Sequence, residues 1–202
     1  MTGVRLASDQ LLDAARTVFA RSGFDGARMQ DVADAAATTK PTLYARFGSK
    51  RELYEAAVAR DAEALLEHLF EAYNSVSGAR ASDMVRAAMD AWFHFFETRP
   101  EAYTLLFSSG RAEPATVAAD EVLDAITDRL ALMVQDVLAR TARGPSPRAR
   151  LLAAMLVGIA HQGTAAVRRE PGAGGNAAAH LATELALAAV RGLPRGALGE
   201  PV

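Results

Sequence analysis

A lysine, a threonine and a tyrosine within one short segment are the side chains of this sequence best suited to contacting nucleic acid. They are Lys40, Thr42 and Tyr44. An ammonium group attracts phosphate, and hydroxyl groups form hydrogen bonds with phosphate oxygens or base edges. Leu43 and Phe47, four residues apart, would point inward and anchor the segment as a helix. The pattern therefore predicts a short helix that presents polar groups to double-stranded DNA.

The surrounding residues predict the element that positions these groups, a helix-turn-helix. Its two helices are predicted over about Arg28–Ala36 and Thr39–Phe47. Thr38 or Thr39 would cap the second helix, and Pro41 falls in its first turn, where a missing amide costs little. In such a unit the second helix lies in the major groove while the first crosses the DNA backbone.

A longer pattern encloses this unit, and Thr-Leu-Tyr followed by Phe-x-Ser-Lys is its most specific part. The pattern consists of Leu12-Asp13-Ala14-Ala15, Phe19, Gly23-Phe24, Asp31-Val32-Ala33, Thr39-Lys40-Pro41-Thr42-Leu43-Tyr44, Phe47 and Ser49-Lys50-Arg51-Glu52-Leu53. Over about residues 8–58 the chain thereby resembles the TetR family of transcriptional regulators. The resemblance implies an all-helical homodimer that represses transcription and releases a palindromic operator when a small molecule binds its C-terminal domain.

The resemblance also implies which residues contact DNA. Lys40, Thr42 and Tyr44 would do so from the second helix of the helix-turn-helix. Lys50 would bind a phosphate at the start of the next helix, the fourth of the chain. Two positions depart from the family pattern: Ala37 stands where glycine is usual in the turn, and Arg28 stands where threonine or serine is usual. Alanine is disfavoured at a positive φ, and Arg28 would replace a hydroxyl contact by a charged one. The candidate DNA-binding residues are Arg28, Thr39, Lys40, Thr42, Tyr44, Arg46 and Lys50, of which Arg46 fits a solvated surface position equally well.

Charge is divided unevenly along the chain. The formal net charge is −2, but residues 1–51 carry a net +3 and residues 52–202 a net −5. A basic head on an acidic body fits a protein that touches phosphates with one end only. There is no cysteine, which excludes disulfides and thiolate sites, and no apolar run approaches the roughly 20 residues that span a bilayer. We expect a cytoplasmic, nucleoid-associated protein with no membrane partner.

The sequence offers little for catalysis. None of the histidines has a glutamate three residues before it, as dinuclear metal bundles require. Asp90 and His94, one helical turn apart, are a single pair. Phosphate-binding loops and nucleophile elbows are missing, so we predict no catalytic residue, no metal and no cofactor. The alternatives that remain are an activator and a helical carrier of hydrophobic ligands.

A cluster of aromatic residues in the C-terminal part predicts an apolar pocket with a few polar groups. It would take a small hydrophobic effector, although an ordinary core would explain the same aromatic residues. The candidate effector-binding residues are Trp92, Phe96, Tyr103, Phe107, Met133, His161 and Thr164.

The last two helices predict a homodimer interface. Their apolar residues would form a four-helix contact about a two-fold axis, and packing within one subunit is the competing explanation. The candidate interface residues are Leu152, Met155, Leu156, Leu181, Leu185 and Ala188.

The fold class is all-α. Residues 1–50 would form a three-helix DNA-binding domain, residues 51–193 a helical bundle for effector binding and dimerisation, and residues 194–202 a disordered tail. Glycine and proline positions divide the chain into about nine helices. Besides the two above, they run from about Ser8 to Gly23, Ser49 to Tyr73, Asp83 to Thr98, Pro100 to Gly110, Pro114 to Arg143, Arg148 to Arg169 and Asn176 to Gly192.

Overall fold

The computed structural model describes residues 2–76, 78–107, 115–140, 148–170 and 175–192. Within those ranges the chain forms nine helices and no strand, which confirms the all-α prediction. The expected tail at 194–202 lies outside the described residues. The helices are α1 (Thr2–Gly26), α2 (Met29–Ala35), α3 (Lys40–Phe47), α4 (Lys50–Ser75), α5 (Ala81–Thr98), α6 (Pro100–Phe107), α7 (Ala115–Arg140), α8 (Ala149–Arg169) and α9 (Gly175–Gly192).

The helices are grouped into two compact units. Of the described residues, those within 2–64 and 99–122 form the first unit, and those within 65–98 and 123–192 form the second. Helices α4 and α7 each run from one unit into the other. The boundary expected between residues 50 and 51 falls inside the first unit, because α6 and the first half of α4 belong to the same unit as α1.

Helix α1 differs from the prediction at its start and agrees with it at its end. The predicted start near Ser8 is wrong, because the helix already begins at Thr2 and serine is tolerated within it. The Ser8 hydroxyl instead accepts a hydrogen bond from the Arg46 guanidinium. Gly23 breaks the helix as expected, with a φ of 67° that favours glycine.

Phe24, directly after this break, packs back on the first unit. Its ring is stacked on Phe19, with centroids 6.2 Å apart, and meets Tyr54 edge-on at 5.3 Å. The Tyr54 hydroxyl donates to the carbonyl of Leu105 on α6. These contacts tie the end of α1 to α4 and α4 to α6.

A network of charged side chains joins α1 to α4. Asp61 on α4 is only 3% exposed and accepts hydrogen bonds from Arg16 at 3.4 Å and from its neighbour Arg60 at 2.9 Å. Both guanidinium groups also reach Asp13, at 3.1 Å and 3.0 Å. Because Arg16 and Asp13 lie on α1, the network fixes the rotation of α1 against α4.

In the second unit, α5 packs against α8 and α9. Three aromatic residues of α5, Trp92, Phe95 and Phe96, are buried in this unit, and Phe96 meets the other two edge-on at 5.2 Å and 5.1 Å. Among the described residues, α8 is long and apolar enough to span a membrane, with a mean hydropathy of 1.2. In this fold its buried face belongs to the core of the unit.

Candidate functional site

Helix α3 presents the polar side chains singled out in the sequence. Thr39 has extended backbone, and its hydroxyl oxygen accepts from the Thr42 amide at 3.3 Å. The hydroxyls of Thr39 and Thr42 also lie 2.8 Å apart, within hydrogen-bonding distance. Leu43 is fully buried, whereas Lys40 is exposed and Tyr44 is 44% exposed. The cap and the buried leucine therefore hold α3 with its polar face in solvent.

The turn before α3 takes a shape that glycine would favour. Ala37 has a φ of 49°, the one positive value among the non-glycine residues of the described chain. The Thr38 amide donates to the carbonyl of Ala33, and the Ala37 amide donates to the carbonyl of Asp34. This pair of hydrogen bonds is the Schellman motif, in which the positive-φ residue ends a helix. The departure at Ala37 thus leaves the shape of the turn intact and adds backbone strain.

The other candidate cations lie in the same unit as α3. Lys50, at the start of α4, donates to the carbonyl of Asp25 at 3.2 Å, and its Nζ lies 4.7 Å from the centroid of the Phe24 ring. These contacts hold the ammonium group at the C-terminal end of α1. Arg28 is exposed immediately before α2 and makes no side-chain cap there. Arg46 is exposed and is held to α1 through Ser8.

The second unit contains a cavity of about 670 Å³. Its wall is formed by apolar residues of α4, α5, α7, α8 and α9, and it includes Trp92 and Met133 as the sequence predicts. Arg80 and Arg191, which are not among the candidate effector-binding residues, are the charged residues of the wall, and Tyr73 and Ser82 are its polar ones. Arg80 and Arg191 are far apart in the sequence, so no local sequence pattern predicts that they line the same cavity.

Other expected members of this pocket lie behind its wall or elsewhere. Phe96 packs edge-on against Trp92, and Thr164 accepts a hydrogen bond from the Trp92 indole at 2.9 Å. Neither residue is part of the lining. His161 is half-buried on α8, and burial lowers its pKa. Tyr103 and Phe107 lie on α6, in the other compact unit, with their rings 5.3 Å apart.

An apolar stripe is exposed along α8 and α9. We call it the α8–α9 stripe; it consists of Leu151, Met155, Leu181 and Leu185, each more than half exposed, together with the exposed Ala188. Leu152 and Leu156, expected at the dimer interface, are instead buried and line the cavity. One residue of a helix is rotated by about 100° from the next, so the neighbouring leucines of α8 point in different directions.

Known proteins match both parts of the chain. Residues 11–57 match the family model described as bacterial regulatory proteins, tetR family. Residues 82–193 match the model described as tetracyclin repressor-like, C-terminal domain. The chain belongs to the TetR family of transcriptional regulators. Its members are DNA-binding regulators, so the resemblance seen in the N-terminal sequence is confirmed.

Of two relatives of this TetR-family chain, one is named an activator and the other a negative regulator. The HTH-type transcriptional activator FasR of Mycolicibacterium smegmatis is 35% identical over 150 residues, covering 74% of this chain and 67% of FasR. The negative transcriptional regulator IcaR of the icaADBC biofilm operon in Staphylococcus aureus is 38% identical over 50 residues, covering 25% of this chain and 27% of IcaR.

Solved structures share the whole fold of this TetR-family chain. A TetR-like transcriptional regulator from Rhodococcus sp. RHA1 superposes with a TM-score of 0.72 at 27% identity, covering 93% of this chain and 97% of that one. The regulator FadR of Bacillus subtilis, solved in complex with stearoyl-CoA, superposes with a TM-score of 0.76 over 92% of this chain and 98% of its own. At 15% identity, the second likeness concerns the fold alone.

Across the described ranges, no three His, Asp or Glu side chains are grouped so that they could hold a metal ion. His68 and His94 are near each other, with ring centroids 6.1 Å apart, and Phe95 lies beside them.

Proposed function

We propose that this protein is a ligand-responsive transcriptional repressor that binds a palindromic operator as a homodimer. The observation that carries the proposal is the capped, exposed face of α3. Thr39 fixes the first turn and the buried Leu43 fixes the rotation, and Lys40, Thr42 and Tyr44 are each exposed to solvent. Such a helix fits the major groove, where an ammonium and hydroxyl groups meet phosphates and base edges.

The remaining basic groups would contact the DNA backbone. Lys50 is held at the end of α1 by the Asp25 carbonyl and the Phe24 ring, so little side-chain entropy is lost when it meets a phosphate. Arg28 at the start of α2 and Arg46 at the end of α3 would add charge on either side. Thr39 combines capping with a place at the DNA-facing end of α3. These contacts would supply most of the salt-dependent part of the affinity.

The α8–α9 stripe supports the homodimer. Large apolar side chains that lie together on a surface are typical of protein interfaces, and two helices from each subunit would form a four-helix contact. Leu151, Met155, Leu181, Leu185 and Ala188 would meet their counterparts across the two-fold axis. Such a dimer would present two recognition helices at the spacing of one DNA turn, about 34–36 Å.

The cavity of the second unit supports a small, largely apolar effector. Its volume of about 670 Å³ and its lining of leucine, valine, methionine and tryptophan suit a bulky apolar molecule. FadR, whose fold this chain shares, binds stearoyl-CoA. We infer that effector binding favours a conformation in which the two recognition helices no longer fit the operator. A ligand that prefers this conformation by about 1–3 kcal/mol would weaken operator binding roughly 5–150-fold.

Activation is a second candidate for the regulatory outcome. It is favoured by the relative FasR, which is named an activator and matches most of this chain. Operator binding is common to both outcomes, and both place the protein at the nucleoid in the cytoplasm. A reporter gene behind the selected operator separates them, since deleting the regulator raises expression from a repressed promoter and lowers it from an activated one.

Selection from a random double-stranded DNA library tests operator binding. The wild type is expected to enrich a palindromic site, and the variant Lys40→Ala/Tyr44→Ala is expected to lose it. Arg169→Ala, which removes an exposed charge from the end of α8, should leave the enrichment unchanged. The log–log dependence of affinity on salt should flatten by about 0.9 for each phosphate contact removed. A folded dimer that enriches nothing at low salt would contradict the proposal and favour a carrier of hydrophobic ligands.

Sedimentation of the variant Leu181→Glu tests the dimer. A glutamate in the α8–α9 stripe would bury a charge in the interface, so we expect a monomer. Leu132→Glu is the matched control, because Leu132 is equally exposed but lies on α7, outside the stripe. Dimers of unchanged stability in Leu181→Glu would show that the subunits meet elsewhere.

A further inference from the structure

The cavity of the second unit is apolar along most of its wall and positively charged at two residues. Arg80 and Arg191 carry this charge, and neither Asp nor Glu occurs among the described residues that line it. The side chains of both arginines are exposed, and within the described ranges neither side chain makes a hydrogen bond or an ion pair. Two guanidinium groups on a wall without carboxylates favour an anion.

The packing of α5 against α9 places the two arginines at the same end of the cavity. Arg86 on α5 pairs with Glu184 on α9 at 3.1 Å. Phe93, further along α5, and Ala182, further back on α9, both adjoin Gly163, so the two helices run in opposite directions. Arg80 lies six residues before Arg86 and Arg191 seven after Glu184. At 1.5 Å per residue, Arg80 lies about 9 Å from Arg86 and Arg191 about 10 Å from Glu184 along the helix axes. Because the helices are antiparallel, both displacements point the same way, so the two arginines lie at one end of the cavity.

The other charged groups of this end do not cancel the charge of the arginines. Glu184 is neutralised by Arg86. Asp83 lies in the first turn of α5 and is exposed, but it is not part of the cavity wall. Asp136 keeps its charge and accepts a hydrogen bond from the hydroxyl of Tyr73 at 2.8 Å, but it is not part of the cavity wall either. Arg80 and Arg191 therefore remain available to a ligand in the cavity.

We propose that the cavity binds an amphipathic anion whose apolar chain lies against Trp92, Met133 and Leu156 and whose anionic head is held by Arg80 and Arg191. This proposal rests on the effector cavity of the proposed function and deepens it. A guanidinium group binds a carboxylate or a phosphate through two parallel hydrogen bonds, so either head group suits the site. The arginines would select charged lipids over neutral ones of the same chain length.

Binding of three matched probes to the dimer tests this selection. The probes are palmitate, cetyl alcohol and palmitoyl-CoA, which share one chain length but carry a carboxylate, a hydroxyl group and phosphates. Trp92 is the only tryptophan of the chain and lies in the cavity wall, so its fluorescence reports occupancy directly. We expect at least one anion to bind about tenfold or more tightly than the alcohol, as charge-assisted hydrogen bonds would require.

Variants of the two arginines make the test specific. In Arg80→Gln/Arg191→Gln the affinity for the preferred anion should fall to the affinity for the alcohol, whereas the affinity for the alcohol should not change. Arg80→Lys/Arg191→Lys keeps the charge and should recover part of the preference, and Arg169→Gln, outside the cavity, should change nothing. A preference for palmitate would identify a carboxylate as the head group, and a preference for palmitoyl-CoA would identify phosphate.

Three outcomes would overturn the proposal: equal affinities of the wild type for all probes, an anion preference that survives the glutamine variant, or no response of Trp92 to any probe. None of them bears on operator binding by α3, which the DNA selection tests by itself. Failure of the cavity proposal is therefore distinguishable from failure of the proposed function.

Discussion

Trp92 on α5 is joined to Thr164 on α8 by a buried hydrogen bond. The indole Nε1 donates to the threonine hydroxyl at 2.9 Å, and that hydroxyl donates in turn to the carbonyl of Ala160 at 2.9 Å. Both side chains are buried. Because Trp92 also lines the cavity, this bond fixes the position of a wall residue from behind.

Replacing Thr164 by valine should destabilise the protein without changing its shape. Thr164→Val keeps the volume of the side chain but removes the hydroxyl that accepts from the buried indole N–H, which costs about 1–3 kcal/mol. Urea unfolding followed by Trp92 fluorescence measures the change. Thr164→Ser retains the hydroxyl and should lose less, so a serine variant as unstable as the valine variant would show that the lost methyl group, and not the hydrogen bond, matters.

Replacing Ala37 by glycine should stabilise the first unit. Ala37 has a φ of 49°, and this left-handed conformation costs an L-residue about 1–2 kcal/mol. Glycine removes that cost but adds entropy to the unfolded chain, so we expect a net gain of about 0.5–1 kcal/mol. Amide hydrogen exchange across α2 and α3 measures it.

Ala35→Gly provides the opposite control. Ala35 is exposed in the last turn of α2, and glycine there should lower stability by about 0.5–1 kcal/mol. If both variants lose stability, the strain at Ala37 is smaller than its φ indicates.

Local signals in the sequence were sufficient to predict the helix-turn-helix. Thr39 caps α3 and Gly23 breaks α1, as expected from the conformations that these residues favour. At the start of α4, Ser49 and Glu52 have the spacing of a capping box, which forms only in part. The Ser49 hydroxyl accepts from the Glu52 amide, but the Glu52 carboxylate accepts from that hydroxyl and not from the Ser49 amide. Which of two acceptable donors a side chain meets depends on rotamers that the sequence does not specify.

The inward face of α8 could not be predicted from the sequence in the same way. Leu151, Leu152, Met155 and Leu156 provide two adjacent apolar faces, and helical periodicity alone favours neither. The contacts with α5 and α9 turn Leu152 and Leu156 into the cavity and leave Leu151 and Met155 exposed. Closeness in sequence was equally misleading for Tyr103 and Phe107, which lie in the other compact unit from Trp92.

Replacing the buried Asp61 should strongly destabilise the first unit. Two guanidinium groups share its Oδ1, and its buried Oδ2 makes no hydrogen bond within the described chain. Asp61→Asn removes the charge that these arginines neutralise, and breaking a buried pair in this way costs about 3 kcal/mol. Chemical denaturation followed by circular dichroism measures the loss.

Asp13→Asn is the matched control, because Asp13 binds the same Arg16 and Arg60 but its side chain is 57% exposed. An exposed ion pair contributes about 1 kcal/mol or less, so this variant should differ little from the wild type. Equal losses in the two variants would show that burial does not set the strength of the network.

The stability of the protein should decrease as the pH falls below neutrality, in part because of His161. Burial disfavours the imidazolium ion and lowers the pKa of His161 in the folded state. The unfolded chain therefore binds a proton near the ordinary histidine pKa of about 6.5, while the folded chain binds it only at lower pH. Between those two pH values the unfolded state holds more protons, so the free energy of unfolding falls with decreasing pH.

In His161→Gln this part of the decrease should disappear. His180→Gln, at an exposed position on α9, is the control for removing an imidazole from the surface. Urea unfolding between neutral and mildly acidic pH measures all three slopes, and a slope in His161→Gln identical to that of the wild type would mean that His161 is equally easy to protonate in both states.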